Sequence, residues 1–393
     1  MRPRKPKPTA KPDVVAAGGD EDHIPAASGS PDASLTQDDS FTATSHAGLT
    51  YPWGDAAPGT GETIPIANGI SWARIPMPGS LGHINSWLLD DADDRGDGIA
   101  VVDTGICLTM CSDAWKALYA GALDGKRITR VIGTHLHPDH IGLAGWIAKK
   151  QGVKLWMTRG EMLTARAIVA DSSDTAPDEV LAQSRAAGWD EDAIEAQRSR
   201  GWNMFQRMIF ALPRSYVRIR DGETLDMGTH RWRVVTGSGH SPEHACLWNE
   251  REGVLVSGDQ VLPRISSNVS VNITEPDADP LGEWLASIDK LIATIPADVI
   301  TCPAHGQPFR GLHVRLMALR DEHRMRLYNL SEAIAKAPMR AVDSFPMLFN
   351  RSIGPEQLGM ATGEALAHLK RLEVEGRVKR EDRDGVWWYH GVA

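Results

Sequence analysis

Apolar positions along this chain switch between a period of two and a period near 3.6, and the switches mark out its elements. Residues 69–78 and 82–90 alternate in the first way and read as paired early strands, with the polar segment 93–98 as a hairpin loop before a third strand at 99–103. Residues 128–133 are rich in β-branched side chains and read as a buried strand. Further apolar strands are expected at 154–157, 232–236, 254–257 and 299–302. Helical spacing covers 108–122, 144–151 and 312–336. Strands that alternate with helices in this way predict an α/β fold.

Three segments break the alternation. The first 47 residues open on Met1-Arg2-Pro3-Arg4-Lys5-Pro6-Lys7-Pro8 and continue in Ala, Gly, Ser and Asp with almost no large apolar residue. Such a stretch buries too little surface to fold and is expected to be a disordered tail over 1–47, with the main domain at 48–337. Within that domain, residues 160–213 are expected to hold about four helices. Pro177-Asp178-Glu179 starts one, Gly188 stops it, Asp190-Glu191-Asp192 starts the next, Gly201 stops that, and Pro213 ends the last. The last, 202–212, is unusually apolar. Phe205, Met208, Ile209 and Leu212 would pack it on the body, or Phe205, Met208 and Phe210 would line an adaptable apolar pocket. The third segment, 338–393, follows a linker bounded by Pro338 and Pro346. It predicts a helix at 362–375 stopped by Gly376, then a hairpin of 377–381 and 386–390 joined around Asp384-Gly385.

The chemistry is concentrated directly after the strand at 128–133. The run Thr134-His135-Leu136-His137-Pro138-Asp139-His140-Ile141-Gly142 puts three imidazoles and a carboxylate on one loop, at the strand end where open α/β sheets keep their sites. In extended backbone alternate residues point the same way, so His135 and His137 can converge on one ion. Pro138 then turns the chain, and Asp139 and His140 can face a second ion beside the first. Imidazole and carboxylate without thiolate suit zinc, with iron or manganese as competitors.

The pattern H-x-H-x-D-H resembles the signature of the metallo-β-lactamase fold superfamily. That resemblance implies an αββα sandwich, here with a helical cap insertion at 160–213, and three further ligands at strand ends. His240, in Gly237-Ser238-Gly239-His240-Ser241-Pro242-Glu243-His244, would complete the first site with His135 and His137. Asp259, in Ser257-Gly258-Asp259, would bridge the two ions. His305, in Pro303-Ala304-His305-Gly306, would complete the second site with Asp139 and His140. Asp103, in Asp103-Thr104-Gly105, and His244 are expected to support ligands rather than to bind metal. The C-terminal helix and hairpin resemble a winged helix, which occurs on a branch of this superfamily that includes a single-strand-specific endoribonuclease. Its basic residues interleave with acids, as on a solvated face. A packing or dimerisation role is expected for this tail, with Trp387, Trp388 or Tyr389 as cover for the pocket.

Two cations with open positions lower the pKa of a bound water and polarise a carbonyl or phosphoryl oxygen, so the expected reaction is hydrolysis by metal-bound hydroxide. Asp139 would orient the water or move its proton. The leading expectation is a small-molecule ester, thioester or lactone as substrate, as in glyoxalase II and the quorum-quenching lactonases. The alternative is a phosphodiesterase acting on single-stranded RNA. Iron-dependent oxidoreductase relatives tend to carry Glu where His137 stands.

Bulk properties change this picture little. A formal net charge of -9 argues against a role in coating nucleic acid. Four cysteines among 393 residues form no disulfide framework and are expected to be reduced thiols. No apolar segment matches a secretory signal or a membrane span, so the cytoplasm is the expected compartment, with a homo-oligomer left open.

Overall fold

The computed structural model describes residues 41–202 and 204–392, and most of the expected tail lies outside that range. The chain opens with a small hairpin of β1 (Thr44–His46) and β2 (Leu49–Tyr51), turned by Ala47 and Gly48 at positive φ. The boundary expected at 47 therefore falls inside a hairpin, which is held to the body because Leu49 and Tyr51 are buried.

Two sheets follow. The first takes β3 (Ile64–Ala67), β4 (Ile70–Pro76), β5 (His83–Asp93), β6 (Gly96–Val102), β7 (Ile128–Ile132), β8 (Leu155–Met157) and β9 (Val217–Arg218) in sequential order. Strands β3 to β6 are antiparallel and β6 to β9 parallel. The expected loop at 93–98 shrinks to a two-residue turn, because β5 and β6 stay paired as far as Asp93 and Gly96. The second sheet holds β10 (Thr224–Met227), β11 (His230–Gly237), β12 (His244–Asn249), β13 (Val254–Gly258) and β14 (Ile300–Pro303). Only its β13–β14 pair is parallel.

The period of two decides how the layers stack. On β4, β5 and β6, one set (Trp72, Trp87, Leu89, Val102) meets Trp232, Val234 and Val256 of the second sheet in the central core. The alternate set (Ile75, Ile84, Leu88, Val101) turns outwards. Helices α1 (Thr109–Ala120) and α3 (Ala144–Gln151) cover that outer face, with Trp115 and Ile147 fully buried beneath them. The opposite outer face, at Val235 and Leu255, is covered by α7 (Pro280–Thr294) and α8 (Leu312–Lys336). Helix, sheet, sheet, helix is the αββα sandwich that the family resemblance implied.

The insertion forms α4 (Arg159–Ala170), α5 (Asp178–Ala186) and α6 (Glu191–Ser199), punctuated as expected; Asp190 caps α6 by accepting the Ala193 N–H at 2.8 Å. The helix expected over 202–212 does not form. Among the described residues only a 3-10 turn at Met204–Arg207 appears, and irregular backbone follows it. That backbone is used sideways: Phe210 N–H donates to Gly142 O at 2.7 Å and Met208 O accepts the Cys107 N–H at 2.9 Å. The apolar side chains therefore serve the body's core and not a helix face.

After α8 and the short α9 (Phe345–Leu348), the C-terminal segment forms α10 (Leu358–Val374) and a hairpin of β15 (Val378–Arg383) and β16 (Val386–Gly391). The expected helix and hairpin are both present. They share one buried cluster with α7 and α8, through Leu366, Leu369, Leu372 and Tyr389 against Trp284, Leu316 and Leu327. Among the described residues, no helix is long and apolar enough to cross a membrane.

Candidate metal centre

Strand β7 ends at Ile132, and the chain bends through residues 134–137, with His137 at φ -63 and ψ 147, before Pro138 starts a single helical turn, α2 (Pro138–Ile141). This bend separates the imidazoles. His135 Nε2 lies 2.8 Å from His137 Nδ1 and 3.2 Å from His240 Nε2. Gly239 carries φ +103, and a Cβ there would come within 2.6 Å of Trp284 Cβ, so the turn that presents His240 needs glycine at this position. On the other side of the bend, Asp139 Oδ2 lies 3.1 Å from His305 Nε2 and 3.5 Å from His140 Nε2. Asp259, just past β13, stands between the two groups. Its Oδ2 is 3.5 Å from the Nε2 atoms of both His140 and His240, and its Oδ1 is 3.6 Å from that of His305. All seven expected ligands thus converge at the strand ends along one edge between the sheets, in sets close enough to share an ion: His135, His137, His240; His135, His140, Asp259; Asp139, His140, His305.

The surroundings prepare these donors for a cation. His140, His240 and His305 each direct Nδ1 to an oxygen: Asp103 Oδ2 at 2.7 Å, Asn268 O at 2.7 Å and His83 O at 2.9 Å. Assigning the proton to Nδ1 on this network leaves each Nε2 lone pair aimed inwards. His140 Nε2, His305 Nε2 and Asp259 Oδ1 are buried and lack any hydrogen-bond partner, a costly state unless an ion takes them up. Burial, reinforced by the neighbouring imidazoles, holds His135 far below the usual histidine range and His137 at about 3, so both stay neutral. For Asp139, burial alone would raise the pKa, but His140 and His305 hold it down to about 2. His135 and His137 thus offer neutral nitrogens. At His140 and His305 burial is outweighed by the surrounding carboxylates, which raise those two imidazoles, so that the positive charge they hold beside Asp139 and Asp259 is one a cation would replace. With charged oxygens and no thiolate, the set fits a pair of divalent ions.

Asp103 and His244 hold the places expected of supports. Asp103, at φ 59, accepts the Thr134 N–H and hydroxyl at 2.9 and 2.8 Å while holding His140. His244 Nε2 accepts the Asp259 N–H at 3.1 Å, and so orients the carboxylate's backbone. Asp103→Asn is expected to weaken metal retention or activity by about 10–100-fold, as loss of such supports usually does, whereas His244→Ala leaves substantial activity. Steady-state rates with parallel metal analysis check both, and a dead His244→Ala protein with its metal gone would make that residue a ligand.

Sequence reading missed Glu161, in the first turn of α4. Its buried carboxylate accepts the Leu136 N–H at 2.9 Å, the Glu243 N–H at 2.7 Å and the Ser241 hydroxyl at 2.6 Å. It thereby ties the H-x-H loop to the His240 turn, and burial raises its pKa to about 6. The only signal was an acid placed between Gly160 and Met162 on an otherwise apolar helix face.

A cavity of about 990 Å³ opens directly beside His137 and His240. The insertion lines it with Leu163, Val180, Trp189, Trp202 and Phe205, and the Phe205 ring centroid lies 6.4 Å from that of His137. Of the three expected pocket residues only Phe205 faces it. Phe210 is buried in the outer core of the first sheet and Met208 packs against that core, because the sideways backbone bonds turn both away. The far wall comes from α10, through Met360, Gly363 and Leu366, and not from Trp387, Trp388 or Tyr389. Among the described residues no lysine or arginine lines the cavity.

Comparison with known proteins agrees with this geometry. Residues 79–305 match the metallo-beta-lactamase superfamily model, and residues 327–392 match the metallo-beta-lactamase-like C-terminal domain. A beta-lactamase domain protein from Burkholderia ambifaria is 40% identical and superposes with a TM-score of 0.81 over 88% of this chain and 98% of its own. The probable metallo-hydrolase YqjP of Bacillus subtilis is 24% identical over 77% of this chain and 91% of its own length. The acyl-coenzyme A thioesterase MBLAC2 of Bos taurus is 25% identical over 50% of this chain and 64% of its own. With its histidines and aspartates gathered at one edge of an αββα sandwich, the chain belongs to the metallo-beta-lactamase superfamily and is a metal-dependent hydrolase.

Proposed function

We propose that the protein hydrolyses a small-molecule thioester, ester or lactone with a bulky, largely apolar acyl group, using two zinc ions held by His135, His137, His240, Asp259, Asp139, His140 and His305. The observation that carries this reading is the cavity: it abuts the proposed ligands His137 and His240, is large enough for a drug-sized acyl group, and offers apolar, amide and hydroxyl side chains with the acids Asp171 and Glu275 and without a lysine or arginine. The thioesterase relative favours a thioester among the three. A phosphodiesterase would need basic groups tracking a backbone, and the walls supply none.

When bound, the ions would supply a water of lowered pKa and a Lewis acid for the carbonyl. The chain's own residues do the rest. Asp139, whose side chain keeps 15% exposure, is placed to take and return a proton as the acyl bond breaks and the thiol or alcohol leaves. Phe205 and Leu163 exclude water on the side where the acyl group lies. Phe205→Asn is therefore expected to lower kcat/KM on a long acyl thioester by about 10–100-fold while changing an acetyl thioester little. A panel of acyl thioesters of rising length, lactones and single-stranded RNA tests both the variant and the reading. Salt-sensitive RNA cleavage with no turnover of any acyl substrate would overturn it.

A further inference from the structure

The C-terminal helix reaches the metal centre through a single loop, residues 266–271. On the side of the proposed ligands, the Ser267 hydroxyl donates to Asp259 O, and Asn268 O accepts His240 Nδ1–H at 2.7 Å. On the opposite side, Ser266 Oγ meets His323 Nε2 of α8 at 3.3 Å, Val271 N–H donates to Gly363 O of α10 at 3.1 Å, and Asn268 Nδ2 donates to Glu364 Oε2 at 3.2 Å. The other end of the Asn268 amide, Oδ1, accepts the Ser270 hydroxyl at 2.6 Å. Glu364 is in turn fixed by Arg326 of α8, Nη1 to Oε1 at 3.1 Å, with 13% of its side chain exposed.

We propose that Glu364 is a positioning residue for His240. The proposal rests on the reading of His240 as a metal ligand. An asparagine held at both amide atoms cannot turn, and the carbonyl of that residue is the group that fixes the His240 ring with Nε2 inwards. Without Glu364 the Nδ2 end is free, the loop can rotate, and the imidazole can present the wrong nitrogen. Glu364 also neutralises Arg326, a purely structural role that the test must separate from positioning. Arg326 has a second carboxylate, Glu322 at 2.6 Å, so a glutamine at 364 keeps the acceptor for Asn268 while losing the charge.

The experiment uses the full-length zinc- or cobalt-loaded protein and reads three quantities: ion retention against a chelator, the visible spectrum of the cobalt form, and melting temperature. Glu364→Ala is expected to weaken retention of one ion by about 10–100-fold and to change the cobalt spectrum, with Glu364→Gln within about threefold of the parent. Arg371→Gln removes a different contact of the same helix, the 2.8 Å pair with Asp279, and is expected to keep the parent's retention and spectrum even where it melts earlier. Asn268→Ala carries the same expectation as Glu364→Ala and replaces it should that protein not fold. Parent-like retention and spectrum in folded Glu364→Ala, or equal losses in the Ala and Gln variants, would overturn the proposal. His240→Ala separates the two possible failures. If it keeps both ions the ligand reading falls; if it loses one while Glu364→Ala does not, only the positioning role falls.

Discussion

Asp259→Asn is expected to cut turnover by about 1,000-fold or more, equivalent to roughly 4 kcal/mol of transition-state stabilisation, while the protein stays folded. The reason is its place. Both carboxylate oxygens face imidazole nitrogens within 3.6 Å, one group on either side, so this single side chain faces both ion positions. An amide of the same shape removes the charge and puts an N–H donor among lone pairs that await a cation. Steady-state rates and elemental analysis on the same preparation check it. Unchanged turnover with full metal content would show that Asp259 does not bridge.

Metal removal is expected to have the second large effect. Each chain should carry two ions as purified, and chelation should abolish hydrolysis and lower the melting temperature until zinc is restored. An ion present at about 1,000 times its dissociation constant stabilises by about 4 kcal/mol, which for a domain of this size amounts to a shift of roughly 5–7 °C. The buried atoms His140 Nε2, His305 Nε2 and Asp259 Oδ1 give the physical cause: without cations they face one another's side chains and Asp139 at 3.1 to 3.6 Å and make no hydrogen bond in a packed interior. Elemental analysis and calorimetry with and without chelator decide the matter. One ion per chain, or a melting point indifferent to chelation, would remove the dinuclear reading.

Within the sequence, the run from His135 to His140 was legible as a possible metal site because it follows an apolar strand, whereas His240, Asp259, His305 and the αββα sandwich were named by the family resemblance. The structure brings the seven side chains together because strand ends in a two-sheet sandwich meet at one edge, and it uses Trp72 and Ile75, or Trp87 and Leu88, on opposite faces of their strands. Residues 202–212 were misread because their apolar content is real but is spent on the core beneath α1 and α3. What fixes Met208 and Phe210 in place is a pair of backbone bonds to Cys107 and Gly142, partners far away in the chain. Glu161, Asn268 and Glu364 were invisible for the same reason. Each acts on a loop that the sequence does not place beside it.

The cavity's far wall has a consequence for how such an enzyme diversifies. The groups that would break the bond sit on strand ends of the sandwich, whereas much of the surface that would select the acyl group belongs to the insertion and to α10. On the proposed function, reactivity and selectivity would be encoded in largely separate stretches of chain, and drift in one need not damage the other. Position 360, where Met360 is exposed, could change size to admit a different acyl group with every proposed metal donor untouched, whereas Leu366 is held by the core that α10 shares with α7 and α8. Glu364 lies on the same helix between them, so a lineage that reshapes this wall would be free at 360 and bound at 364 and 366.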